Sequence, residues 1–282
     1  MKNLIVRTIT GILFVAIIVV SFLNAYAMTL LFALITGLTV WEFCGLVNTQ
    51  EGVQTNRFIC TVAGVYFFFS ISGYCSGLTP STVFIPYLLS IIYLLISELY
   101  TKNANPINDW AYTMLSQMYV ALPLSLINVL AFRSTPEGSV YTYLIPLSVF
   151  VFLWCNDTGA YCSGSLLGKH KLFPRISPGK SWEGSIGGAI LVLIVGAIIG
   201  YFTDMYGVND LRLSIPEWMG LGLVIVVFGT WGDLVESLFK RTLEIKDSGS
   251  ILPGHGGMLD RFDSSLIAIP AAVIYLYTLT LI

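Results

Sequence analysis

The chain reads as a succession of long apolar runs joined by short polar links. The runs fall at about residues 8–23, 26–47, 58–76, 82–100, 110–132 and 140–154, then at about 185–202, 218–234 and 264–282. Each is near the ~20 residues a helix needs to cross a bilayer. Asn24 and Ala25 leave room for only a tight turn between the first two runs, and a Pro/Gly turn at 77–81 separates the third from the fourth. The pattern predicts an all-α, polytopic integral membrane bundle of about nine transmembrane helices. The spacing breaks at residues 155–184, a polar and glycine-rich passage, and again at 237–263.

Composition agrees. Of 282 residues, 56% are hydrophobic and 11% charged, where a soluble domain carries roughly 25% charged residues. A net charge of -2 supplies no basic field for nucleic acid. The five cysteines are scattered through apolar segments with no C-x-x-C pair, so neither a disulfide framework nor a zinc site is indicated. The first apolar run has no small-residue cleavage site and further runs follow it directly, so no cleavable signal is expected. With about nine crossings, twelve basic residues (Lys2, Arg7, Arg57, Lys102, Lys169, Lys171, Arg175, Lys180, Lys240, Arg241, Lys246 and Arg261) share one side, against Arg133 and Arg212 on the other. That bias predicts a cytoplasmic N-terminus, with both polar passages on the cytoplasmic side. Residues 1–154 then read as a scaffold of six spans, and 155–282 as a catalytic part of three spans and two loops within one continuous membrane domain.

Charge concentrates in 237–263, S-L-F-K-R-T-L-E-I-K-D-S-G-S-I-L-P-G-H-G-G-M-L-D-R-F-D, which holds four of the fourteen basic residues and four acids. Such a cluster beside lipid is costly and is rarely kept for packing alone. Asp260 and Asp263, three apart, share a face on a helix. With Asp233 of G-T-W-G-D-L they can converge on Mg2+, which binds through a few carboxylates plus substrate phosphates; the plainer reading is a solvated helix start with local ion pairs. Asp233, Ser237 and Lys240 fall on one helical stripe, although Glu236 and Lys240 also make an ordinary i,i+4 surface pair. Lys240, Arg241, Lys246 and Arg261 suit phosphate groups, and Asp247 lies among them. Gly256 and Gly257 let backbone approach a ligand closely. His255 can donate to phosphate, act as acid or base, or hold the loop.

The earlier passage reads W-C-N-D-T-G-A-Y, then I-S-P-G-K-S-W-E-G. Asn156 and Asp157 close an apolar run, where an acid is expensive unless it works or pairs. Ser177, Lys180 and Glu183 are candidates on the substrate side. The Pro178-Gly179-Lys180-Ser181 segment is no P-loop: Pro174 stands where the motif needs its first glycine, and no strand precedes it.

The 237–263 stretch resembles the signature of the phosphatidate cytidylyltransferases, or CDP-diacylglycerol synthases: S-x-apolar-K-R, four residues, K-D, a spacer to H-G-G, then D-R-apolar-D. The passage at 155–184 is similar to the family's W-x-x-D-x-x-A-Y and I-S-P-x-K-x-W-E-G segments, with Gly179 and Ser181 in place of Lys and Thr. The resemblance implies CTP and phosphatidate as substrates and CDP-diacylglycerol as product, with divalent metal, normally Mg2+, with or without a second cation. Membrane lipids and a second copy of the chain are the other partners expected. A lipid or solute transporter with a charged gate is the rival reading, but it calls for mid-membrane charges and internal repeats, and neither is found. A CDP-alcohol phosphotransferase needs D-G-x-x-A-R, which is absent.

Overall fold

A computed structural model describes residues 2–207, 213–249, 251 and 256–279, with side chains from residue 8 onward. In chain order the helices and strands are α1 (Lys2–Phe22), α2 (Ala25–Val47), α3 (Arg57–Cys75), a 3-10 turn (Ser81–Phe84) leading into α4 (Ile85–Ser97), α5 (Pro106–Leu115), a π segment (Ser116–Ala121), α6 (Leu122–Ser125) and α7 (Ile127–Ala131). Strands β1 (Phe132–Thr135) and β2 (Gly138–Tyr141) follow, then α8 (Leu144–Leu167), β3 (Lys171–Phe173), β4 (Ser177–Ser181), α9 (Trp182–Met205), α10 (Ile215–Thr242), α11 (Leu259–Phe262) and α12 (Ser265–Thr278).

The bundle is all-α apart from two hairpins, but the number of spans differs from the sequence expectation. Among the described residues, five helices are long and apolar enough to cross a membrane, not about nine: Ala25–Val47, Arg57–Cys75, Pro106–Ala131, Trp182–Met205 and Ile215–Thr242. An apolar run and a crossing-length helix are different things. Within the described residues the first and fourth runs contribute shorter apolar helical stretches, Thr8–Phe22 at the end of α1 and Ser81–Ser97. The sixth run is only the first half of α8, whose second half carries Asn156, Asp157 and Thr158. The ninth yields a helix of 14 residues with Pro270 inside it. The sorting of basic residues to two sides rests on about nine crossings, so the predicted cytoplasmic N-terminus goes with them. The passage at 155–184 is also mostly ordered secondary structure instead of loop. A helix continues through its Asn-Asp-Thr-Gly, with Thr158 bonding back to Trp154 O at 2.8 Å.

The chain divides into two compact units. The first comprises Met1–Tyr143 with Thr242–Phe262. Its helices start where short polar side chains cap free N–H groups. Asn24 accepts from Tyr26 N (2.9 Å), Asn56 from Ile59 N (3.0 Å), and Asn105 precedes Pro106 at the first position of α5. Its core is aromatic: Phe22, Phe32, Phe43 and Phe68 are fully buried. Phe262, from the far end of the sequence, lies edge-on to Phe14 and Phe32. The β1–β2 hairpin is tied down by Tyr141 Oη donating to Phe22 O (2.8 Å) and Ser139 Oγ to Cys75 O (2.6 Å).

The second unit comprises Leu144–Arg241 with Asp263–Ile282. Here α8 and α9 run with backbones nearly touching: a Cβ on Gly159 would stand 2.9 Å from Gly188 Cα and 3.1 Å from Gly187 O. The α9 sequence buries Gly184, Gly188, Val192, Gly196 and Gly200 at four-residue spacing along one side. On α10, Gly232 does the same for the chain entering α12, since a Cβ there would meet Asp263 O at 2.8 Å and Ser264 O at 2.9 Å. That approach brings residue 263 to the α10 backbone one position from Asp233.

Candidate active site

Two sequence motifs meet in the second unit. The β3–β4 hairpin pairs Lys171 with Ser181 and Phe173 with Ser177, and Ser181 then caps α9 by accepting from Gly184 N at 3.1 Å. Lys180, the residue before that cap, extends to α10: its Nζ lies 2.6 Å from Asp233 Oδ2 and donates to Thr230 O at 3.5 Å. Both side chains keep about a quarter of their surface exposed (25% and 29%), so the pair stands at an accessible edge. The helical stripe forms as expected, with Ser237 Oγ donating to Asp233 Oδ1 at 3.1 Å. One turn on, Lys240 Nζ meets Glu236 Oε2 at 2.7 Å. This is the i,i+4 pair legible in the sequence, but it is no surface pair, because Glu236 is wholly buried.

Asp263 follows α11 and precedes α12, so it and Asp260 do not lie on one continuous helix. Its Oδ1 accepts from Ser264 N at 2.5 Å. Burial pushes its carboxyl group up to about 7 from the usual 3.8; the Asp233 and Asp157 charges add to the rise, while the Ser264 N–H and Lys240 oppose it. Beside this cluster a cleft of about 160 Å³ is lined by Asn156, Asp157, Tyr161, Lys180, Ser181 and Thr230 among others. Asp157 is exposed, whereas Asn156 is buried with its Oδ1 lacking a hydrogen-bond partner among the described residues. Ser177 is half-buried at the start of β4. Glu183 is engaged locally: it accepts from His170 N (3.2 Å) and lies 2.6 Å from His170 Nδ1, tying the hairpin to the first turn of α9.

The remaining candidates belong to the first unit, apart from Arg241, which is exposed near the end of α10. Lys246 and Asp247 are exposed, as is Arg261 in α11. Asp260 binds backbone: its Oδ2 accepts from Ser248 N and Gly257 N, both at 2.8 Å. Gly256 has a φ of +80°, a left-handed conformation that glycine adopts without strain. His255 lies outside the described residues. Sequence reasoning passed over Glu42, the one acid inside the second apolar run. It is buried in α2 and accepts from Met258 N at 2.8 Å and Leu259 N at 3.1 Å, with a further bond from Ser248 Oγ. The signal that could have found it is that an ionisable residue within an apolar span rarely goes without a task.

Among the described residues, no three His, Cys, Asp or Glu side chains are grouped to hold a metal ion by themselves. The Asp233–Asp263 pair nonetheless suits a divalent cation: both are hard oxygen donors, and burial and the Asp233 charge, which together raise Asp263, disfavour its anion in a way that a bound cation would offset.

A model described as the cytidylyltransferase family matches residues 4–279. The phosphatidate cytidylyltransferase of Staphylococcus haemolyticus (strain JCSC1435) is 34% identical over 266 residues, covering 94% of this chain and 96% of that protein. The protein of that name from Staphylococcus aureus (strain COL) is 33% identical over the same shares. The Staphylococcus saprophyticus protein is 41% identical over 186 residues, 65% of each chain. With nearly the whole length matched and both sequence motifs meeting at Asp233, the chain belongs to the phosphatidate cytidylyltransferase family.

Proposed function

We infer that the cluster around Asp233 is where this enzyme joins its two substrates. The protein is a nucleotidyltransferase that transfers CMP from CTP to phosphatidate, giving CDP-diacylglycerol and pyrophosphate. A phosphatidate oxygen attacks the α-phosphorus of CTP and the bond to the β-phosphate bridging oxygen breaks. The nucleophile is already ionised, so no general base is assigned. Both reactants are anionic, phosphatidate alone bringing roughly -1.5 to -2, so positioning and charge neutralisation dominate the catalysis.

The observation that carries this reading is the 2.6 Å contact between Lys180 of the earlier motif and Asp233, which also accepts from Ser237, the first residue of the 237–263 signature. Lys180 is poised to leave its carboxylate for a substrate phosphate. Lys240, Arg241, Lys246 and Arg261 add positive charge for the triphosphate and the lipid phosphate, and Asp247 helps to set their field. Asn156, Asp157 and Ser177 contribute polar groups on the substrate side, Ser237 orients Asp233, and Glu183 holds the hairpin that carries Lys180. Gly256 and Gly257 let the loop backbone approach a ligand closely, and His255 donates a hydrogen bond to a phosphate oxygen. Asp233 and Asp263 would hold Mg2+, while Asp260 keeps a carboxylate whose orientation is fixed by two backbone N–H groups. When bound, the cation supplies Lewis-acid neutralisation of the phosphate oxygens.

The site faces the cytoplasm of a bacterial cell, where CTP is made, and the enzyme sits in the cytoplasmic membrane. The exposed stripe Ile186, Ile190, Ile194 and Ile198 on α9 supports direct contact with lipid tails. A homodimer is the assembly we propose, to be checked by cross-linking in membranes. The reaction itself is tested by turnover of labelled CTP with phosphatidate in detergent. Appearance of CDP-diacylglycerol in the unmutated enzyme, and its loss in Asp233→Asn, is expected; equal turnover by both would refute the assignment.

A further inference from the structure

Among the described residues, the 243–259 segment holds no strand and no regular helix between the end of α10 at Thr242 and the four residues of α11. Its shape in the first unit rests on two carboxylates. One is its own, Asp260, which binds Ser248 N and Gly257 N. The other comes from more than two hundred residues away, Glu42 of α2.

Both carboxylate oxygens of Glu42 accept hydrogen bonds from this segment. Its Oε2 accepts from Met258 N at 2.8 Å, and its Oε1 accepts from Leu259 N at 3.1 Å and from the Ser248 hydroxyl. Ser248 links the two carboxylates: it donates from Oγ to Glu42 and from N to Asp260, and accepts at Oγ from Asp260 N at 3.3 Å. Two glycines make the fit possible. A Cβ on Gly257 would overlap Glu42 Oε1, and one on Gly249 would stand 2.8 Å from Oε2. An ionised group buried this deeply costs several kcal/mol unless it is fully hydrogen-bonded, so the carboxylate and the loop conformation hold each other in place.

We propose that Glu42 is a positioning residue for the cytidylyl transfer: its carboxylate clamps the signature loop in the form that presents Lys246, Asp260 and Arg261 to the substrates. The proposal rests on the reaction assigned above. Glu42 touches no reacting atom and acts only through the loop it holds. A carboxamide cannot replace it, because one of its two acceptors becomes an N–H donor facing a backbone N–H.

The test compares the full-length enzyme with Glu42→Gln, Glu42→Asp and Ser248→Ala in detergent. Glu42→Gln should lower kcat on the order of 10²-fold, the usual result of displacing groups by about an ångström, while both KM values change by less than about threefold and the thermal midpoint is kept. Glu42→Asp, which retains the charge, should recover about tenfold of that loss, and Ser248→Ala should lose about tenfold on its own. Trypsin should cut after Lys246 faster in Glu42→Gln than in the unmutated enzyme. A wild-type kcat in Glu42→Gln would overturn the proposal, as would kcat losses in Glu42→Gln and Ser248→Ala no larger than their losses of folded protein. No turnover by the unmutated enzyme would refute the reaction and not the clamp. The cleavage rate after Lys246 decides the clamp separately, and equal rates would overturn it.

Discussion

Asp233 in the second unit and Glu42 and Asp260 in the first are held in different ways. Asp233 is satisfied by side chains, the ammonium of Lys180 and the hydroxyl of Ser237. Glu42 and Asp260 are satisfied largely by backbone N–H groups. A side-chain partner can turn away when a phosphate or a cation offers a better one. A backbone N–H cannot leave without unmaking the loop. The first arrangement is therefore suited to exchange of partners during a reaction, and the second to fixed geometry.

The largest effect should come from breaking the exchangeable cluster. Asp263→Asn and Asp233→Asn should each lower kcat/KM by about 10²–10³-fold with elution profiles unchanged. Near-normal turnover in both at ordinary Mg2+ would make them local structural pairs. Lys180→Ala comes next: a loss of about 10–10²-fold, read as raised KM, lowered kcat or both, with stability little changed because the pair is part-exposed. A large fall in thermal midpoint instead would place Lys180 with the fixed groups.

A smaller effect separates the two regions by pH. Asp263 is pushed up to about 7 from 3.8, so between those values the folded, metal-free protein keeps a proton that the unfolded chain has released. Stability should fall as pH rises through that window and level off above about 7. Asp263→Asn should remove this slope, and a slope unchanged in that variant would deny the shift. The smallest change is in packing. Gly159→Ala should cost about 1–3 kcal/mol, because the new methyl meets the α9 backbone, which cannot swing aside; chemical denaturation monitored by Trp fluorescence reads it.

Much of the second unit's site was legible in the sequence because its spacing is helical. Asp233, Ser237 and Lys240 are a stripe on α10 whatever the tertiary fold does. Lys180 could be marked as a phosphate contact, but its seat on Asp233 needed the β3–β4 hairpin, which no apolar pattern encodes in a five-residue strand of S-P-G-K-S. The number of spans was misread because hydropathy measures apolar length and not helix length: α8 runs on through Asn156 and Asp157, while the last run gives a helix of 14 residues. Glu42 was missed for the opposite reason. Its partners are 206 to 217 residues away, and nothing near W-E-F announces them.

That separation has a consequence for biosynthesis. The ribosome makes Glu42 early and its partners Ser248, Met258 and Leu259 near the end. At ~5–20 residues per second the carboxylate waits about 10–40 s for them. Through that interval α2 carries an acid whose final hydrogen bonds do not yet exist, so the first unit closes only when the C-terminal region has been synthesised. A chain truncated before residue 248 would keep every span named here except the packing of its own signature loop, and would present the quality-control machinery with an unmatched charge in an apolar helix.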